Sequence, residues 1–68
     1  MSNKSNLQSN IKKLRKQHNL SQEKLARLSD VANNTIIKIE AGENKNPKLE
    51  TLQKIAKAFD ISIDELIK

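Results

Sequence analysis

Apolar residues in this chain recur at intervals of three and four, and nowhere alternate over the length of a strand. Leu7, Ile11 and Leu14 form the first such row. Leu25 and Leu28, with Ala26 beside them, form a second, and Ile36 and Ile39 a third. Leu52, Ile55, Ala56 and Phe59 make a fourth, and Ile63, Leu66 and Ile67 a short fifth. The spacing predicts five helices and no strand, an all-α chain.

The polar residues between the rows predict where each helix starts and stops. Ser5 and Gln8 fit a capping box that opens helix 1, and Asn19 suits the left-handed turn that ends it. Ser21 is a good N-cap for helix 2, with Glu23 in its first turn, and the helix ends near Ser29 and Asp30. Val31 is the apolar residue of the following turn. Helix 3 covers about 33–41, after the poor cap Ala32 and before the stop Gly42. Residues 43–47 read as a polar loop closed by Pro47, the only proline. Helix 4 covers about 49–59, and Ser62 and Glu65 form a second capping box that opens helix 5.

Sixty-eight residues make one domain, 1–68, with 1–4 reading as a frayed tail. A chain this short buries only about 60% of its unfolded surface, so its stability is modest. With no cysteine and His18 as the single histidine, neither a disulfide nor a Cys/His zinc site is expected, and no cofactor is implied. The longest apolar runs are two residues, such as Ile36-Ile37, against the roughly 20 that a membrane span needs. The polar N-terminal stretch has no secretory core, so a cytoplasmic location is expected. A lone histidine without cysteine or a glycine-rich phosphate loop argues against an enzyme.

Charge sharpens the picture. Residues 1–38 hold eight Lys or Arg against two acids, Glu23 and Asp30, whereas residues 39–68 hold five against six. The excess positive charge therefore lies in the first half, which fits a polyanionic partner such as nucleic acid as well as a plain solvated face. Lys12, Lys13 and Lys16 read as solvated charge at a helix end that adds to this field. His18 reads as a helix-end residue suited to the dipole.

The informative stretch is 22–39. Two short helices meet across a tight turn, with small Ala26 at the close approach and Leu25, Val31, Ile36 and Ile39 holding the pair. Asn33, Asn34, Thr35 and Lys38 leave a hydrogen-bonding face on the second helix. Asparagine pairs bidentately with adenine and lysine donates to guanine, so this face suits major-groove reading. Ile37 beside it is either a contact for a thymine methyl or a core-edge residue.

Four motifs in order then bring a family into view: Leu20-Ser21-Gln22-Glu23-Lys24-Leu25-Ala26, Thr35-Ile36-Ile37-Lys38-Ile39-Glu40-Ala41-Gly42, Asn46-Pro47-Lys48-Leu49-Glu50-Thr51-Leu52 and Ile61-Ser62-Ile63-Asp64-Glu65-Leu66. At these spacings the chain resembles the phage repressor/Cro-like (XRE-type) helix-turn-helix domains, nearly throughout its length. The resemblance implies a compact five-helix lambda-repressor-like domain, with the helix-turn-helix formed by helices 2 and 3. It also implies a sequence-specific regulator of transcription that binds double-stranded DNA as a homodimer on an inverted repeat. It places Asn33, Asn34, Thr35 and Lys38 against base edges. Gln22 would bond a phosphate and brace the recognition helix, and Lys45, Asn46 and Lys48 would lie along the DNA backbone, with Lys48 near the minor groove. Arg15 and Glu40 match an ion pair that links helix 1 to helix 3 near a phosphate.

Three positions depart from the family's usual glycine: Asn19, Asp30 and Asp60. Asn and Asp tolerate positive φ best among the other residues, so the turns survive at some cost. Asp30 also brings a negative charge close to the expected DNA face. Ala32 and Lys48 stand where a Ser cap is common. At the C-terminus, Ile61, Ile63, Leu66 and Ile67 form an apolar cluster that serves either a dimer interface or packing onto helix 1. A second function stays open beside the first. Small domains of this family also act as antitoxins or adaptors whose main partner is another protein, such as a toxin, with DNA binding for autoregulation.

Overall fold

The computed structural model describes residues 6–68, in five helices: α1 (Leu7–Gln17), α2 (Gln22–Ser29), α3 (Asn33–Glu40), α4 (Leu49–Ala58) and α5 (Ile63–Ile67). No strand occurs among the described residues.

The first four helices close in the same way. Asn19, Asp30, Gly42 and Asp60 each take a left-handed conformation, with φ of 57°, 59°, 81° and 60°. In each case the next N–H bonds back to a carbonyl five residues earlier: Leu20 to Arg15, Val31 to Ala26, Glu43 to Lys38, and Ile61 to Ala56. This double-bonded ending satisfies carbonyls that a helix end would otherwise leave open. After three of these turns the chain re-enters the core through an apolar residue, Leu20, Val31 or Ile61.

The starts are less uniform. The Ser21 hydroxyl accepts from the Lys24 N–H at 3.0 Å, and Ser62 and Glu65 form the full reciprocal box. α3 and α4 begin after Ala32 and Lys48 with no side-chain cap. The expected box at the start of α1 rests on Ser5. Ser5 lies outside the described residues, α1 follows Asn6 without a side-chain cap, and the Gln8 amide donates across the molecule to the Glu40 carbonyl at 2.9 Å.

One apolar core joins all five helices. Ile11, Leu25, Ile36, Ile39, Ile55 and Leu66 are fully buried at its centre, with Leu7, Ala26, Ala56 and Phe59 around them. The helix contacts run in a circuit, from α1 to α3, α2, α4, α5 and back to α1. The Cα radius of gyration, 10.7 Å, matches the roughly 11 Å expected of a compact domain of this length. Leu28 is a correction. The sequence pattern puts it beside Leu25 in the core, but it is 57% exposed. α2 buries the narrow face of Leu25, Ala26 and Ser29, and Leu28 lies off that stripe. Ser29 takes the inward position because its hydroxyl donates to the Leu25 carbonyl at 2.7 Å, so no polar atom is stranded.

The last helix is too short to hold itself together. α1 completes it: the Asn10 amide donates to the Leu66 carbonyl at 2.8 Å, and the Asn6 amide to the Lys68 carbonyl at 2.9 Å. Leu66 anchors the same junction from within the core.

Candidate nucleic-acid interface

The α2–α3 joint sets where the second helix points. Asp30 turns the chain at positive φ and Val31 returns it to the core. Ala26, 5% exposed, allows the close approach. The exposed carboxylate of Asp30 lies 3.7 Å from the Lys54 ammonium, which also reaches the Asp30 carbonyl. The negative charge that the sequence places near this surface thus has a cation from α4 beside it.

α3 divides cleanly into two faces. Ile36, Ile39 and Glu40 are buried, whereas Asn33, Asn34, Ile37, Lys38 and Ala41 are exposed along one stripe. None of Asn33, Asn34 and Lys38 uses its side chain in a hydrogen bond or ion pair among the described residues. Their donors and acceptors are left to solvent or to a ligand. Thr35 is half-buried and falls on the flank of the stripe beside Lys38 rather than within it.

The far end of α3 is anchored by charge. Arg15 grips Glu40 with a planar fork: Nε to Oε2 at 2.8 Å and Nη2 to Oε1 at 3.0 Å. The Glu40 side chain is 2% exposed and that of Arg15 17%, so the pair is largely withdrawn from water. Gln22, the first residue of α2, donates its amide to Glu40 Oε1 at 3.1 Å, and Arg15 Nη1 donates to the Leu20 carbonyl at 2.9 Å. The Arg15–Glu40 pair, with Gln22, therefore ties α1, the α1–α2 turn, α2 and α3 together. The hydrogen bond to Glu40 raises the Arg15 pKa above its ordinary range, against the opposing effect of burial. Every buried side-chain polar atom among the described residues has a partner. A buried ion pair with its remaining valences filled holds position well, although its net stabilisation is small.

Beyond α3 the chain passes under Gln8 and into the loop. A side chain at Gly42 would begin 3.0 Å from the Gln8 amide oxygen, and the φ of 81° already favours glycine. Lys45, Asn46 and Lys48 then lie exposed, and the Asn46 N–H bonds to Asn44 Oδ1 at 3.2 Å. The structure thus gathers Arg15, Gln22 and Glu40 into one network. It sets Asn33, Asn34 and Lys38 on one exposed stripe and leaves Lys45, Asn46 and Lys48 on the next loop.

At the C-terminus, Ile67 is 39% exposed and Ile61 and Ile63 are half-buried. Leu66 is fully buried within the monomer, which corrects its place in a partner-facing cluster. The sequence offers Gln8 only as a cap for α1 and gives Lys54 no role. Both are polar residues on amphipathic helices, and only the tertiary contact gives them a role.

Comparison with known proteins agrees with this architecture. A helix-turn-helix family model matches residues 11–66. An HTH-type transcriptional regulator of Coxiella burnetii is 38% identical over 61 residues, 90% of this chain and 28% of that protein. The transcriptional repressor RstR of the cryptic phage CTXphi, in Vibrio cholerae, is 41% identical over 59 residues, 87% of this chain and 52% of the repressor. An HTH-type transcriptional regulator of Methanocaldococcus jannaschii is 40% identical over 60 residues, covering 88% of this chain and 89% of its own length. The chain spans about a quarter and about half of the first two relatives, and most of the third. With its two-faced α3 braced by the Arg15–Glu40 pair, the chain belongs to the XRE-type helix-turn-helix family of DNA-binding transcriptional regulators.

Proposed function

We propose that this protein is a sequence-specific, non-enzymatic transcriptional regulator that places α3 in the major groove of duplex DNA. The observation that carries the reading is the α3 stripe, whose Asn33, Asn34 and Lys38 side chains are exposed and unengaged on a helix locked at its far end by Glu40. Asn33 and Asn34 have the geometry to pair with adenine, and Lys38 to donate to guanine. Thr35 contributes from the flank. Gln22, Lys45, Asn46 and Lys48 follow the phosphate backbone. Gln22 does so through the second N–H of its amide, the first being donated to Glu40, so it couples the phosphate to the anchor of the recognition helix.

The protein acts as a homodimer on an inverted repeat, with half-sites about 34 Å apart. The exposed Ile67, with Ile61 and Ile63 beside it, is the apolar surface offered to the second copy. No helix among the described residues is long and apolar enough to cross a membrane. Selection from a random duplex pool would define the site, and variants then separate the roles. Asn34→Ala and Lys38→Ala should each lose about 1–3 kcal/mol of discrimination at one base position while nonspecific affinity stays nearly unchanged. Lys45→Ala should weaken every sequence alike. Uniform weakening by Asn34→Ala or Lys38→Ala rules out their reading role.

A further inference from the structure

Ile37 stands out on α3. It is 40% exposed, although the helix buries its other isoleucines, Ile36 and Ile39, almost completely. On a helix of 3.6 residues per turn it falls between Asn33 and Asn34 around the axis, inside the exposed stripe rather than at its margin. Ala41, one turn further on, is also exposed and apolar. A β-branched residue on an open helix face lowers helix propensity and, left in water, gains no burial in return. The core does not need its side chain either, since Ile36, Ile39 and Leu25 already fill that side of the α2–α3 pair.

Resting on the reading of α3 as a major-groove helix, we infer that Ile37 is a specificity residue that reads the C5-methyl group of a thymine. The asparagines on either side hold the helix to base edges by hydrogen bonds. Between them Ile37 presents a branched apolar surface, and in the major groove only thymine offers a methyl to match it. Cytosine at that position presents an amino group, which an isoleucine leaves without an acceptor. Ile37 therefore favours T·A over the other pairs, and its contribution is apolar and insensitive to salt.

The test uses duplexes carrying the selected site in which each thymine in turn is replaced by deoxyuridine, so that one methyl group is lost and no hydrogen bond. Wild-type protein should lose about fourfold in affinity at one thymine per half-site, the equivalent of one buried methyl-sized group. Ile37→Ala should bind the thymine duplex about fourfold more weakly and be indifferent to deoxyuridine at that position. The substitution is at an exposed site, and an unchanged thermal unfolding curve confirms that the fold is kept. The inference is overturned if wild type and Ile37→Ala respond alike to every deoxyuridine duplex. It is also overturned if Ile37→Ala changes no base preference. Either result leaves the DNA-binding reading intact, because that reading fails only if wild-type protein does not bind the duplex at all.

Discussion

At the scale of single residues, the turns set the terms. Asp30 adopts φ of 59° at the joint between α2 and α3, where a glycine would carry no steric penalty. Its exposed ion pair with Lys54 contributes little in return. Asp30→Gly should therefore raise stability by about 0.5 kcal/mol, the relieved strain exceeding the added freedom of the unfolded chain, and Asp30→Ala should lower it by about 1 kcal/mol. Urea unfolding checks both, read as a shift in midpoint at constant slope. A loss of stability in Asp30→Gly contradicts this account of the turn. These positions were legible from sequence because Asn19, Asp30, Gly42 and Asp60 are residue types that tolerate positive φ, each directly after an apolar row. Gln8, Asn6 and Asn10 were not. Their amides bond carbonyls 32 to 62 positions away, and no local pattern announces such a partner.

At the scale of elements, the position of α3 depends on Glu40. Burial makes its carboxylate costly without a cation, and Arg15 supplies one in a two-point grip. Arg15→Ala and Glu40→Ala should each cost about 3 kcal/mol, and the double variant clearly less than the sum, because removing both leaves no unpaired charge. Additive losses in a denaturation cycle contradict this coupling. The Arg15 pKa is raised, so its charge-dependent stabilisation is complete below the ordinary guanidinium range and is lost only as pH climbs through the higher folded value. Titration of Arg15 therefore produces no change in stability near neutrality. The family motif made this pair legible from sequence, whereas the periodicity of α2 misplaced Leu28. In a helix of eight residues a spacing of three does not decide which flank is buried. The neighbouring α4 decides it, and selects Ser29.

At the scale of the molecule, five short helices hold one core in a closed circuit, and they leave exposed the polar stripe of α3 with its following loop and the apolar Ile67 of α5. The architecture was legible because each helix carries its own start, stop and apolar row. The edge of α5 was less so, since Leu66 and Ile67 are adjacent in sequence yet one is fully buried and the other 39% exposed. If Ile67 meets a second copy, wild-type protein has the mass of a dimer in solution and Ile67→Lys that of a monomer, with weaker binding to a two-half-site duplex. An Ile67→Lys variant of unchanged dimeric mass excludes this edge as the interface.

Binding to duplex DNA tests the role of the α3 surface most directly. Equilibrium binding to random-sequence duplex across a salt series counts the phosphates that lysine and arginine neutralise, without knowledge of the operator. Binding should be strong at low salt. The logarithm of affinity should then fall linearly with the logarithm of salt concentration, with a slope of about −0.9 for each phosphate that a lysine or arginine neutralises. Absence of binding at low salt, or an affinity that salt does not move, contradicts the assignment of this surface to DNA.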